Sequence, residues 1–169
     1  MYKLIAVVAA VVVVSLWAIA CGGESGSTTQ DKAGVGDRLN IAGNDARLEV
    51  TLEGTKRLPA AQADGVVVHP ALFGTQLTIK NVGDRFYDDA VSLCAVLADA
   101  NGQSHHAEFA NSDECSSMPD DTLEAVRIAP GDERSGWVYF ALGPEQEPRS
   151  LRFTAESGFG PDVGEWSLK

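Results

Sequence analysis

Residues 73–84 read FGTQLTIKNVGD, and their pattern sets the fold class. Phe73, Thr75, Leu77 and Ile79 alternate with Gly74, Gln76, Thr78 and Lys80, which is the period of two that a half-buried strand requires. The run then stops at Asn81-Val82-Gly83-Asp84, residue types that favour a turn. The same rhythm extends outward in both directions. Leu48, Val50 and Leu52 alternate with Glu49, Thr51 and Glu53 upstream. Downstream, Val91, Leu93, Ala95 and Leu97 would line one face of a strand and leave Cys94 and Val96 on the other. Asn101-Gly102 is a hairpin signal because both residues tolerate positive φ, so residues 104–109 should return antiparallel. Residues 123–128, 136–142 and 151–155 and a short segment around Trp166 complete the set, with Pro130-Gly131-Asp132 as a further turn. Helical periodicity is almost absent. Seven to eight short strands separated by turn residues predict an all-β, antiparallel β-sandwich of the immunoglobulin-like kind.

The N-terminal end is of a different character. Residues 4–20 are apolar apart from Ser15, follow the lone charge of Lys3 and end in Ala18-Ile19-Ala20-Cys21-Gly22-Gly23. At about 17 residues the run could just span a bilayer, but one basic residue ahead of an apolar core and a small-residue end fit an export signal. The pattern resembles a bacterial lipobox. In such signals the cysteine receives a diacylglycerol and the chain is cut before it, which makes residues 1–20 a lipoprotein signal peptide and Cys21 the site of lipid attachment. Ala18 stands where lipoboxes usually carry leucine. The alternative, an uncleaved anchor, would keep Lys3 in the cytoplasm and export the same domain. Residues 22–36, with Val35 as their one large apolar side chain, have almost nothing to bury. The segment 21–36 therefore reads as an acylated cysteine and flexible tether with a span on the order of 20 Å. Residues 37–169 form one domain of ordinary size.

Charge narrows the partners. Residues 1–20 hold Lys3 and no acid, so their removal takes the formal net charge from −11 to −12. Such a surface repels phosphate, which argues against nucleic acid and against anionic headgroups. Attachment to the membrane would come from acyl chains at the N-terminus, each buried methylene contributing about 0.8 kcal/mol. With Cys21 lipidated, Cys94 and Cys115 remain as an even pair in an exported chain and are expected to form a disulfide. The loop of about 22 residues would contribute roughly 3 kcal/mol. The competing reading makes Cys94 a nucleophile with His105 or His106 as its base.

Lys80-Asn81-Val82-Gly83-Asp84, the turn at residues 99–102, and Pro130-Gly131-Asp132 leading into Gly136-Trp137-Val138-Tyr139-Phe140 occur in this order behind Val35-Gly36-Asp37. In this the chain resembles the immunoglobulin-like domain of many bacterial lipoproteins, a family of unknown function grouped with telokin-like, immunoprotective extracellular proteins. The resemblance covers residues 35–168. It implies a sandwich fold and a lipid-tethered place on the extracytoplasmic face of the cell membrane, and it brings no catalytic residues.

Other chemistry is thin. His105 and His106 are neighbours on a strand and point to opposite faces, so they read as exposed polar residues rather than one metal site. His69, before Pro70, reads as a loop residue. Residues 111–124 hold Asp113, Glu114, Asp120, Asp121 and Glu124 but lack the ligand rhythm and glycine of a calcium loop, so a solvated acidic loop is favoured over a weak calcium site. Asp88-Asp89 reads as a solvated turn. The glycine-rich residues 157–164 lack a lysine and lie between Glu156 and Glu165, which would repel a phosphate. Trp137, Tyr139 and Trp166 read as core aromatics, with a sugar- or protein-binding surface as the alternative. No cofactor or metal is expected. The sequence thus points to a non-catalytic binding or structural module at the cell surface with an unidentified protein or cell-envelope partner. Two alternatives stand beside it: an immunity or inhibitor lipoprotein that blocks a membrane-proximal partner, as in phage exclusion, and an enzyme.

Overall fold

Strands Arg38–Ala42 (β1), Arg47–Leu58 (β2), Ala61–Ala63 (β3), Val66–His69 (β4), Leu72–Asn81 (β5) and Tyr87–Asp89 (β6) come first. A single helical turn, Val91–Cys94 (α1), follows them. Ala95–Asp99 (β7), Ser104–His106 (β8), Val126–Ile128 (β9), Glu133–Ala141 (β10), Pro148–Phe153 (β11) and Gly164–Ser167 (β12) complete the order. The computed structural model describes residues 33–109 and 118–169.

Sheet I runs in the order β1-β2-β5-β10 and sheet II in the order β12-β11-β7-β8, while β3-β4 and β6-β9 are separate two-stranded pairs. Every strand pairing within these sheets is antiparallel. The alternation in β5 explains its central place: Leu77 and Ile79 are fully buried between the sheets, and Thr75, also buried, directs its hydroxyl to the carbonyl of Val138 at 3.4 Å. Leu48, Val50 and Leu52 of β2 and Val138 and Phe140 of β10 join them from sheet I. Ala95, Leu97, Leu151, Phe153 and Trp166 meet them from sheet II. Burying such side chains stabilises by about 1.5–3 kcal/mol each, which makes this layer the main source of stability.

The expected turn ends β5 by a specific device. Asn81 is buried, accepts a hydrogen bond from the N–H of Gly83 at 3.0 Å and donates to the carbonyls of Arg85 and Ile128 at 2.6 and 3.0 Å. The amide side chain thus supplies partners that the ladder no longer offers. At one edge, Trp166 lies in the core with its indole N–H donated to the carbonyl of Asp37 at 2.9 Å, and Ser167 N–H bonds to Ala33 O at 2.6 Å.

One expected strand is broken. Residues 91–94 form α1, so Val91 and Cys94, three positions apart, both turn inward, and Leu93 is 57% exposed. Cys94 therefore does not share an outward face with Val96 as strand alternation would have it.

Candidate binding pole and the fate of the sequence candidates

The α1 turn delivers Cys94 to Asp89, the last residue of β6. The Asp89 carboxylate accepts from Tyr87 Oη at 2.8 Å, Cys94 Sγ at 3.1 Å, the N–H of Ala90 at 2.9 Å and both the N–H and hydroxyl of Ser157 at 3.0 and 2.7 Å. Burial alone would raise the Asp89 pKa, but the bonds from Ser157, Tyr87 and Cys94 together outweigh it and hold the carboxyl below its ordinary value. The same burial, with the Asp89 charge alongside, pushes the Cys94 thiol up to about 12 and raises Tyr87 well above the phenolic range.

These contacts correct the expected disulfide. Cys94 is a free, buried thiol whose Sγ is turned onto Asp89, so it carries no bridge to Cys115, which itself lies outside the described residues. Pairing by parity failed because the helical turn, absent from the strand reading, points the side chain into the core. The thiol is also a poor nucleophile: its raised pKa leaves almost no thiolate near neutrality.

Ser157 belongs to an unusual loop. Glu156, Ser157 and Gly158 have φ of 58°, 53° and 88°, three consecutive residues in the left-handed region. For the two non-glycine residues this conformation costs roughly 1–2 kcal/mol each. Side chains offset the cost. Asp89 grips Ser157, while Glu156 accepts from Asn44 Nδ2 and from the N–H of Asp45 at 3.1 Å. Further along, Asp162 accepts from the N–H of Ala42 at 3.1 Å. Within the loop, Phe159 N–H bonds to Glu156 O at 3.0 Å and Gly160 N–H to Ala155 O at 2.9 Å. The outcome of this anchoring is a phenylalanine held out in solvent: Phe159 is 87% exposed.

Leu93, whose carbonyl abuts Gly158, and Val163, at 59% exposure, flank the same loop. A cleft of about 230 Å³ opens beside it between Ile41, Leu48, Val82 and Asp162. It adjoins a larger polar groove of about 630 Å³ bounded by the β1–β2 turn and residues 82–85. Asp88-Asp89, read as a solvated pair, is thus half right: Asp88 is exposed, and Asp89 is the buried hub of this end of the molecule.

The remaining candidates are dispersed. Trp166 lies in the main core, whereas Trp137 and Tyr139 share the outer face of sheet I, stacked at 6.3 Å between centroids and 19° between planes. Beneath them Gly74 is required, since a Cβ there would sit 2.8 Å from Tyr139 Cε1. Lys56 Nζ lies 4.0 Å above the Trp137 ring and 3.0 Å from Asp121 Oδ2, and Tyr139 donates to Asp121 Oδ1 at 2.7 Å. Asp121 is therefore engaged by a cation and a phenol. Asp120 and Glu124 lie in the same segment, and Asp113 and Glu114 lie outside the described residues. His105 Nε2 sits 3.3 Å from Asp99 Oδ2, His106 is exposed on β8, and His69 Nδ1 lies 2.8 Å from Pro70 O. Among the described residues no group of three or more His, Cys, Asp or Glu side chains could hold a metal ion, and no helix is long and apolar enough to cross a membrane. Cys21 lies outside the described residues.

MPT63, a secreted protein from Mycobacterium tuberculosis, matches with a TM-score of 0.58 and 16% identity over 80% of this chain and 95% of its own. The YjhA protein from Bacillus subtilis gives 0.56 and 12% over 81% and 99%. YcdA, a candidate lipoprotein from Bacillus subtilis, gives 0.57 and 13% over 82% of this chain and 39% of its own. The likeness is one of fold. This chain is an all-β antiparallel sandwich related to the immunoglobulin-like folds, which is broader than the telokin-like lipoprotein family its turn motifs resemble. No family model matches the sequence, and no curated protein does.

Proposed function

We propose that the chain is a non-catalytic binding module, exported and held outside the membrane by acyl chains on Cys21, with residues 22–36 as its tether. The observation that carries the binding reading is the anchored, left-handed loop that holds Phe159 in water at 87% exposure. Local strain kept by surrounding contacts points to a use for the geometry it maintains. The secreted nature of MPT63 and the candidate lipoprotein status of YcdA support an extracytoplasmic location, together with the lipobox-like residues 18–23 and the resemblance to tethered immunoglobulin-like lipoproteins. The acidic surface is in keeping with attachment through acyl chains and not through headgroup charge. Metabolic labelling of the full chain with a palmitate analogue tests the anchor. The Cys21→Ala variant is expected to remain an uncleaved precursor with labelling at background, and a processed, still labelled Cys21→Ala protein would overturn the lipid anchor.

A further inference from the structure

We propose that Asn101 is a site of spontaneous deamidation through the nitrogen of Gly102, restrained by the folded turn, and that its isoaspartate product loosens the β7–β8 hairpin. This is independent of what the chain binds. Asn101 is the one asparagine of the chain that precedes a glycine, whose missing Cβ leaves its nitrogen open to the asparagine Cγ. Both residues are exposed at the tip of the hairpin, and the Asn101 carboxamide makes no hydrogen bond among the described residues. The other carboxamides are better protected. That of Asn81 is buried and bonded to Gly83, Arg85 and Ile128, and that of Asn44 donates to Glu156. Asn40 is exposed on β1, but the branched side chain of Ile41 crowds the nitrogen that would have to attack.

In the reaction the Gly102 nitrogen gives its proton to solvent base and attacks Cγ of Asn101. The new C–N bond closes a succinimide ring as the carboxamide nitrogen leaves as ammonia. Water then opens the ring at either carbonyl, giving aspartate or isoaspartate, and in the latter the main chain gains a methylene. The fold restrains the first step, because the Gly102 N–H is donated to Asp99 O at 3.0 Å and that bond must open before attack. Asp99 Oδ1 pins the same turn by accepting from the N–H groups of Asn101 and Gln103, both at 2.9 Å. A longer main chain between those two N–H groups no longer lets both reach one oxygen. The fully buried Asp99 carboxylate then loses a partner it needs, and the pairing of Ala98 with Ser104 just beyond the turn slackens.

The test incubates the full chain at mildly alkaline pH in heavy-oxygen water, folded or in guanidinium chloride, and maps the products by peptide mass spectrometry. Asn101 should convert before Asn40, Asn44 and Asn81, largely to isoaspartate carrying one heavy oxygen. Its rate in the folded chain should be roughly fivefold or more below that in denaturant, the factor set by one hydrogen bond that must open. The purified isoaspartate form should exchange the amide hydrogens of residues 103–106 faster than the parent, whereas Asn101→Asp, with an unaltered main chain, should not. Earlier conversion of Asn40, Asn44 or Asn81, equal rates with and without denaturant, or unchanged exchange in the isoaspartate form would each overturn the proposal.

Discussion

Asp89 gathers the hydroxyls of Tyr87 and Ser157 and the Cys94 thiol, Asp121 the Tyr139 hydroxyl and the Lys56 ammonium, and the two secure different things. Asp89 is 9% exposed, receives its bonds from β6, α1 and the loop at residue 157, and fixes backbone that would otherwise leave the left-handed region. Asp121 has a side chain 48% exposed and ties Lys56 and Tyr139 over an aromatic face of ordinary strand geometry. Its carboxyl is also held below the usual value, burial being outweighed by the Tyr139 bond and the Lys56 charge. The difference teaches that more than donor count separates the two networks. What ranks them is whether water can replace the lost partner and whether the chain needs the bond to keep its shape.

The sharpest way to break this comparison is Asp89→Ala. It strands the Tyr87, Cys94 and Ser157 donors and releases the left-handed loop, so urea unfolding should show a loss of about 3 kcal/mol. The effect has a defined pH signature. The folded Asp89 pKa lies below its unfolded value near 3.8, so its contribution is complete above about pH 4 and is lost as pH falls through the folded value. The gap between wild type and variant should stay level from pH 8 to 5 and narrow below pH 4. A gap that instead shrinks between pH 8 and 6 would assign the effect to another group.

Gly74→Ala comes next, because its methyl would press on Tyr139 and Trp137; overpacking of this kind should cost about 2 kcal/mol by the same measurement. Lys56→Met keeps the stem over Trp137 and removes the ion pair with Asp121, whose partners are 31% and 48% exposed. Its cost should be no more than about 1 kcal/mol and should diminish in high salt. A larger, salt-insensitive loss would place the two networks on an equal footing. The smallest effect belongs to Phe159→Ser: with 87% of the residue already in water, stability should change by no more than about 0.5 kcal/mol. A substantial loss would mean that Phe159 supports the loop it crowns.

The sandwich could be read from the chain because residues 48–53 of β2 and 73–80 of β5 alternate between buried apolar and more exposed polar positions. The turns at residues 81–84 and 99–102 were legible for the same local reason. The hub was not. Val91–Cys94 also alternates acceptably as a strand, and its helical turn has no side-chain cap and no acidic first turn to reveal it. The role of Asp89 depends on donors at Ser157, 68 positions away, and sequence neighbours carry no trace of so distant a partner. Trp137 and Tyr139, read as core aromatics, pack with Leu58, Leu72 and Met118 in a separate cluster and not between the two sheets.

Trp166 links the two ends of the described domain across 129 positions by its bond to Asp37, and Ser167 does likewise with Ala33. Until Trp166 docks beside Ile41 and Gly164, β1 lacks its packing against β12 of sheet II. All-β chains rich in such distant pairings then fold in milliseconds to seconds. Resistance of the refolding domain to protease should consequently arrive late and abruptly, once Trp166 has docked, instead of growing strand by strand.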